Sequence, residues 1–215
     1  MPIQKITTGV IDGTTTFANT AISGTITASQ IATVNANTIT SGSIPLAQIP
    51  QLTGVKLPTG SVLQVVQVQK TNGFSTGSQS FVDITDLSAS ITPISASNKI
   101  LVCISINVSS SQHSDIRLVR NSTAIAIGDA SSNQTRSTFH IYSGVNSSGM
   151  GYHTFSSSMM WLDSPATTSS VTYKVQAANP YSGGYATYVN RTYQDDDYSY
   201  NGRTPSTITL MEIAV

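Results

Sequence analysis

The sequence predicts an all-β protein, in which a short N-terminal extended trimeric β-shaft is followed by a jelly-roll-like β-sandwich knob. Charged residues make up only 9% of the 215 residues and the net charge is zero, against about a quarter charged in ordinary globular proteins. Two similar nonapeptides, SGTITASQI and SGSIPLAQI, begin at Ser23 and Ser41. From Ser61 onward, apolar and polar residues alternate with a period of two, which is typical of half-buried strands.

The charge-free stretch 13–55 indicates a segment that cannot fold alone, because its isoleucines stand singly among Thr, Ser and Gly. Three parallel copies would point them at a shared axis, following the logic of repeat architectures. The alternative is a flexible Ser/Thr-rich linker. We therefore expect a separate N-terminal segment at 1–12, a repetitive shaft at 13–59 and a knob at 60–215. The predicted trimeric shaft core consists of Ile22, Ile26, Ile31, Ile39, Ile44 and Ile49.

The knob is predicted from strands with one buried face. In the segment 99–110, residues Ile100 to Val108 alternate between the two faces, and the segment 171–178 repeats the pattern. The segment 115–130 indicates a hairpin that turns near Asn121-Ser122. Further strands are expected near 61–70, 80–92, 134–145, 152–163, 184–193 and 206–215.

The last strand, STITLMEIAV, has apolar residues on both faces: Ile208 and Leu210 on one, Met211 and Ile213 on the other. Burial on both sides predicts a second partner, and a neighbouring subunit is the simplest one. Glu212, the only Glu of the chain, must find solvent or a partner.

Several function classes are disfavoured by composition. There is no Lys/Arg surplus for binding nucleic acid, and no long apolar stretch predicts membrane insertion. Cys103 stands alone, and His113, His140 and His153 lack metal-ligand spacing. We expect no enzyme activity, no cofactor and no metal.

One segment is unusually rich in tyrosine, because six of the nine tyrosines lie between Tyr181 and Tyr200. Tyr gives a rigid contact surface with a polar tip, which suits recognition of saccharides or proteins. The alternatives are a solvated acidic turn whose tyrosines pack on the sheet, or a cation bound by the three adjacent Asp residues. The candidate receptor-binding residues are Tyr181, Tyr185, Arg191, Tyr193, Asp195, Asp196, Asp197, Tyr198, Tyr200 and Arg203.

Five motifs carry a family resemblance: MPIQKITTGVI at the start, RLVRNSTAIAIGDA from Arg117, WLDSPATT from Trp161, YVNR from Tyr188 and STITLMEI from Ser206. With them, the sequence resembles virion structural, tail-fibre-like appendage proteins of tailed bacteriophages of marine bacteria. The resemblance implies a homotrimeric external appendage of the virion, on the tail or capsid, assembled in the host cytoplasm.

Such an appendage attaches to a host cell-surface glycan or protein, and its N-terminus docks on another phage virion protein. The alternative is a head or capsid fibre, or a connector, that docks on a virion protein without receptor binding. If the two ends of the knob lie together, the loop before the last strand, Gln194 to Pro205, would lie at the opposite end.

Overall fold

The computed structural model describes residues 57–110, 112–142 and 150–215, and these are all-β, with 53% in strands. The predicted docking segment, and with it the shaft as far as residue 56, lies outside the described residues, so the shaft core at Ile22 to Ile49 stays a prediction. A 3-10 turn spans Met150–Tyr152. The strands are β1 Val62–Lys70, β2 Phe74–Thr76, β3 Val82–Ile91, β4 Lys99–Ser110, β5 His113–Arg120, β6 Thr123–Ile125, β7 Phe139–Tyr142, β8 Phe155–Asp163, β9 Val171–Ala178, β10 Thr187–Val189 and β11 Ser206–Ile213.

The strands form two curled antiparallel sheets in a sandwich-like arrangement. The first sheet has the order β1-β11-β4-β10-β2, and β8 pairs with β4 as well. The second has the order β3-β9-β5-β6, with β7 also paired to β5. The last strand of the chain, β11, is therefore an interior strand between β1 and β4.

The core lies between the two sheets and follows the predicted alternation. In β4 the residues from Ile100 to Val108 point inward at every second position, and in β9 Val171, Tyr173 and Val175 do the same. β-Branched side chains fit this half-buried pleated surface well. Each fully buried Ile or Leu stabilises the fold by about 1.5–3 kcal/mol relative to exposure.

The predicted hairpin turn is confirmed between β5 and β6. Arg120 pairs with Thr123, so Asn121 and Ser122 form a two-residue turn, and Asn121 adopts a φ of 53°. Asn tolerates this left-handed conformation better than most residues. Its backbone amide donates to the Thr172 carbonyl at 2.7 Å, while its Oδ1 accepts from the Thr172 amide at 3.0 Å. These bonds tie the turn to β9.

Two predicted strands are much shorter than expected. Among the described residues of the segment 134–145, the strand is Phe139–Tyr142, and the segment 184–193 contributes only Thr187–Val189. Gly183 and Gly184 adopt positive φ before β10, and Asn190, with a φ of 64°, follows its last residue. β2 was not predicted, because three residues between Gly73 and Gly77 carry no readable alternation.

Glu212 is buried and finds its partners within the domain. Its Oε1 accepts hydrogen bonds from the Ile94 amide at 2.7 Å and from Asn98 Nδ2 at 2.6 Å. Its Oε2 accepts from Gln64 Nε2 at 2.5 Å. The carboxylate thus joins β1, β11 and the segment between β3 and β4.

The two ends of the described domain lie side by side. β1 runs antiparallel to β11, the Gly60 amide donates to the Ala214 carbonyl, and the Ala214 amide donates to the Ser61 carbonyl, each at 2.9 Å. The loop 194–205 precedes β11, so it lies at the opposite end of the sandwich. The two ends of the knob lie together, as the prediction for the Gln194 to Pro205 loop required.

Candidate functional site

The end of the sandwich opposite the Gly60–Ala214 pair carries most of the aromatic polar side chains. Strands β4, β7 and β9 end there, and β5, β8 and β11 begin there. We call it the aromatic end; its members are His113, His140, Tyr142, Tyr152, His153, Tyr181, Tyr185, Tyr188, Tyr193, Tyr198 and Tyr200. Among the tyrosines only Tyr173 lies elsewhere, buried in the core.

Tyr181 and Tyr185 belong to a first aromatic cluster. Its other members, His113 and Tyr142, were not among the predicted receptor-binding residues. The ring centroids of Tyr181 and Tyr185 are 5.4 Å apart, and Tyr181 lies 5.8 Å from His113. His113 in turn lies 4.7 Å from Tyr142, which is 57% exposed. The cluster presents exposed ring surface next to two histidines.

Arg191, Tyr193, Asp195 and Arg203 belong to a second group, which is held by ion pairs and ring contacts. The Arg191 guanidinium lies 4.2 Å from the centroid of the Tyr188 ring, a cation–π contact. Asp195 forms ion pairs with Arg191 at 3.2 Å and with Arg203 at 2.5 Å. Burial raises the pKa of Tyr188, while the charge of Arg191 acts in the opposite direction.

The three adjacent Asp residues do not act as one cluster. All three are exposed, and Asp195 forms ion pairs with two arginines. The Asp196 carbonyl accepts from the Tyr198 amide at 2.8 Å and from the Asn201 side chain. Across the described ranges, no three His, Cys, Asp or Glu side chains converge in a way that would hold a metal ion.

Tyr198 and Tyr200 form a third cluster with Tyr152. The Tyr198 and Tyr200 rings stack at 5.0 Å with an interplanar angle of 10°, and Tyr152 meets Tyr200 edge-on at 4.8 Å. Tyr198 is 58% exposed. Three aromatic rings thus stand together on loops at the tip, where a partner can reach them.

A buried polar network fixes the base of these loops. Asn190 is fully buried; its Nδ2 donates to the carbonyls of Lys70 and Asn72 at 2.9 and 3.2 Å. Its Oδ1 accepts from the Ser206 hydroxyl at 2.5 Å. The network joins the end of β1 to β10 and to the start of β11, and therefore holds the two ends of the 191–205 loop in place.

Beneath the first cluster lies a buried carboxylate. Asp115 is 0% exposed, and its Oδ1 accepts a 2.8 Å hydrogen bond from His140 Nδ1. His140 Nε2 lies 3.4 Å from His113 Nδ1. The other Asp115 oxygen, Oδ2, has no hydrogen-bond partner among the described residues. A cavity of about 380 Å³ adjoins this group, with Gln134, Thr135 and Pro180 in its walls.

One row across the outward side of the first sheet is apolar over four adjacent strands. Val65, Met211, Leu101 and Leu162 stand opposite one another in register on β1, β11, β4 and β8. Cys103 and Met160 form part of the next row, and Met160 is 73% exposed. We call this surface the outer apolar face; its residues are Val62, Val65, Leu101, Cys103, Met160, Leu162, Met211 and Ile213. It contains the outward residues of β11 for which the sequence predicted a partner.

The sequence missed Tyr142, Tyr152, His113 and His140 because they lie far from the Tyr-rich segment along the chain. The pairing of β5 with β7 brings His113 opposite Tyr142 and Asp115 opposite His140. A strand register is not readable from a single segment.

No protein-family model matches the chain, and no curated protein matches it. In the part of the chain that the structure describes, there is no helix long and apolar enough to cross a membrane.

Proposed function

We propose that this protein is a homotrimeric, tail-fibre-like bacteriophage virion protein whose C-terminal knob attaches to the host cell surface. The observation that carries the proposal is the polarity of the knob. The chain enters at the end where Gly60 pairs with Ala214, and exposed aromatic rings stand at the opposite end. An attachment protein needs this separation, because the end joined to the rest of the particle cannot also meet the host.

The chemistry of the aromatic end suits weak, repeated contacts with a glycan or a protein. Exposed rings such as Tyr142 and Tyr198 offer apolar faces with a polar tip, at a low cost in side-chain entropy. The nearby charges largely cancel, since Asp195 is paired with two arginines. Three copies of such a surface gain by avidity even when each contact is weak.

The outer apolar face supports the trimer. Monomeric proteins rarely expose contiguous apolar patches of more than a few hundred Å², and here the rows containing Val65, Leu162 and Met160 face solvent in the single chain. Second and third copies of the chain would cover this face around a three-fold axis, as in jelly-roll-like trimeric knobs. The predicted shaft, 13–59, would continue the same axis with its isoleucines.

Cell binding by the full-length protein tests the attachment role. Tyr198→Ala combined with Tyr200→Ala, and separately Tyr142→Ala combined with Tyr181→Ala, remove exposed rings of two clusters. We expect at least one pair to weaken binding to host cells about tenfold or more. The matched control is Ile94→Ala, an exposed apolar residue near the other end of the knob. Undiminished binding by both double variants would favour the connector alternative.

Native mass of the full-length protein tests the assembly. We expect a mass of three chains. A monomer at micromolar concentration would contradict both the trimeric shaft and the proposed role of the outer apolar face.

A further inference from the structure

We propose that His113 and His140 bind a late first-row divalent metal ion such as Zn²⁺, with Asp115 orienting His140 from behind. The two histidines lie on neighbouring antiparallel strands, β5 and β7. His113 stands opposite Tyr142, and Asp115 stands opposite His140. His113 and His140 are therefore diagonal neighbours on one face of the sheet, within reach of each other.

The separation of the two ring nitrogens fits a shared metal ion. His113 Nδ1 and His140 Nε2 are 3.4 Å apart, longer than the roughly 2.7–3.2 Å of ordinary N–H hydrogen bonds. Two nitrogens that each lie about 2.0–2.1 Å from one tetrahedral zinc ion are about 3.3–3.4 Å apart. The rings thus stand at a spacing that a metal can bridge after a small rotation.

The carboxylate of Asp115 sets the tautomer that metal binding needs. An ionised carboxylate only accepts hydrogen bonds, so His140 donates from Nδ1 across the 2.8 Å contact. In the neutral ring, this leaves the lone pair on Nε2, the nitrogen that faces His113. Metal-ligating histidines commonly donate their other ring N–H to a carboxylate in this way.

The negative charge of Asp115 is poorly compensated unless a cation lies nearby. Its side chain is fully buried, its sole ion-pair partner in the described part of the chain is His140, and its Oδ2 has no hydrogen-bond partner there. A buried carboxylate in this state is costly unless positive charge lies close by. A divalent ion on the far nitrogen of His140 would supply that charge through the imidazole.

The site is an open one. Because no third His, Cys, Asp or Glu of the described ranges converges on it, the described residues supply two ligands. The His140 side chain is half-exposed, and the Tyr142 and Tyr181 rings flank His113. Imidazole donors suit Zn²⁺, Cu²⁺ and Ni²⁺. The remaining coordination positions would take water, or an oxygen or nitrogen ligand from outside the protein.

Calorimetric titration of the untagged full-length protein with ZnCl₂ tests the proposal, with Co²⁺ absorption as a second readout of nitrogen ligation. We expect one ion per chain. His113→Ala and His140→Ala should each weaken the affinity at least tenfold, and Asp115→Asn by about 10–100-fold, as for other carboxylates behind metal-bound histidines. His153→Ala is the matched control, because His153 is exposed and not part of the group; its affinity should equal that of the wild type.

Absence of zinc binding by the wild type at millimolar metal would overturn the proposal. So would binding that survives both His113→Ala and His140→Ala, or an equal loss in His153→Ala. Thermal melts check that each variant folds, and His113→Gln and His140→Gln replace any alanine variant that does not. The titration uses purified protein, so its result does not depend on the attachment role.

Discussion

The Tyr173 hydroxyl donates a 2.6 Å hydrogen bond to Oδ2 of Asp163, inside the sandwich and between its two sheets. Tyr173 lies on β9 of the second sheet, and Asp163 is the last residue of β8 in the first. Arg120, at the end of β5, donates to both oxygens of the same carboxylate at 2.9 and 3.0 Å. One buried carboxylate therefore links the sheets at the end away from the exposed tyrosines.

Tyr173→Phe should lower the free energy of unfolding by about 1.5–3 kcal/mol, because it removes a hydrogen bond to a buried charged group. Urea unfolding of the wild type and the variant measures the difference. Tyr198→Phe is the control: its hydroxyl is exposed, and surface changes of this kind usually fall within about 0.5 kcal/mol. Equal losses in the two variants would contradict the assigned role of the bond.

The same tyrosine should contribute to alkaline unfolding. Burial, and then the Asp163 carboxylate, raise the pKa of Tyr173 well above its ordinary range. Below pH about 10 the phenol is protonated in both states, so its contribution to stability is fully present. Above that pH the unfolded chain loses the proton first, and stability falls by about 1.4 kcal/mol per pH unit from this group.

Tyr173→Phe lacks the ionisable phenol. Between pH 10 and 11 the stability of the variant should therefore fall less steeply than that of the wild type, by about 1.4 kcal/mol per pH unit. Urea curves of both proteins at pH 8, 10 and 11 give the two slopes. Parallel slopes would show that Tyr173 is not held neutral in the fold.

Glu212→Gln should destabilise the knob by about 2–3 kcal/mol. The carboxylate accepts from three donors on Gln64, Ile94 and Asn98. A Gln amide places its own N–H₂ against one of these donors and loses the charge that strengthens the other bonds. Asp197→Asn is the exposed control, and it should change the urea midpoint little. A neutral effect of Glu212→Gln would mean that water, rather than the carboxylate, satisfies these donors.

Asn190→Ala should lower the stability of the knob more than Asn190→Gly does. Both remove the hydrogen bonds to Lys70, Asn72 and Ser206. Ala also has to adopt the positive φ of 64°, which costs a residue with a Cβ about 1–2 kcal/mol. Asn190→Gly should therefore be more stable than Asn190→Ala, by about 1 kcal/mol in thermal or urea unfolding. The reverse order would show that the backbone at this position changes conformation in the variants.

Met160→Glu should break the assembly, because it places a charge on the outer apolar face. Native mass should shift from three chains to one. Cys103 pairs with Met160 across β4 and β8. Neighbouring copies would cover it in the assembly, so iodoacetamide should react with it faster in the variant.

The matched control for this test is Ser88→Glu, on an exposed position of β3 in the other sheet. It should leave both the mass and the alkylation rate unchanged. A trimer that persists in Met160→Glu would place the subunit contacts elsewhere on the chain.

The strands that the sequence predicted well are those in which burial alone explains the pattern. In β4 and β9 every second residue faces the core, so alternation locates them. β2 and β10 are three residues each and hold their place by pairing with one another, a long-range contact that leaves no local signal. The Asn121-Ser122 turn was readable because Asn suits positive φ.

The candidate receptor-binding residues remain a prediction, and the structure shows only where they lie. The segment from Tyr181 to Tyr200 does lie at one end of the knob, but the structure divides it. β10 and the buried Asn190 fix its middle, so Tyr181 and Tyr185 join His113, while Tyr198 and Tyr200 join Tyr152. These partners come from other strands and loops, and only the register of the sheets brings them together. The shaft and the trimer remain predictions.

The antiparallel ladder between β1 and β11 also decides how the knob would respond to force. A pull that enters through the backbone before Gly60, with the aromatic end held, runs along β1. It would load the hydrogen bonds from Val62–Ile213 to Lys70–Ser206 in shear, all at once, instead of unzipping them one by one. Because β11 is flanked by β4 on its other side, that load passes into the centre of the sheet. When it is pulled through the backbone before Gly60, the domain would therefore bear a higher force before its strands separate.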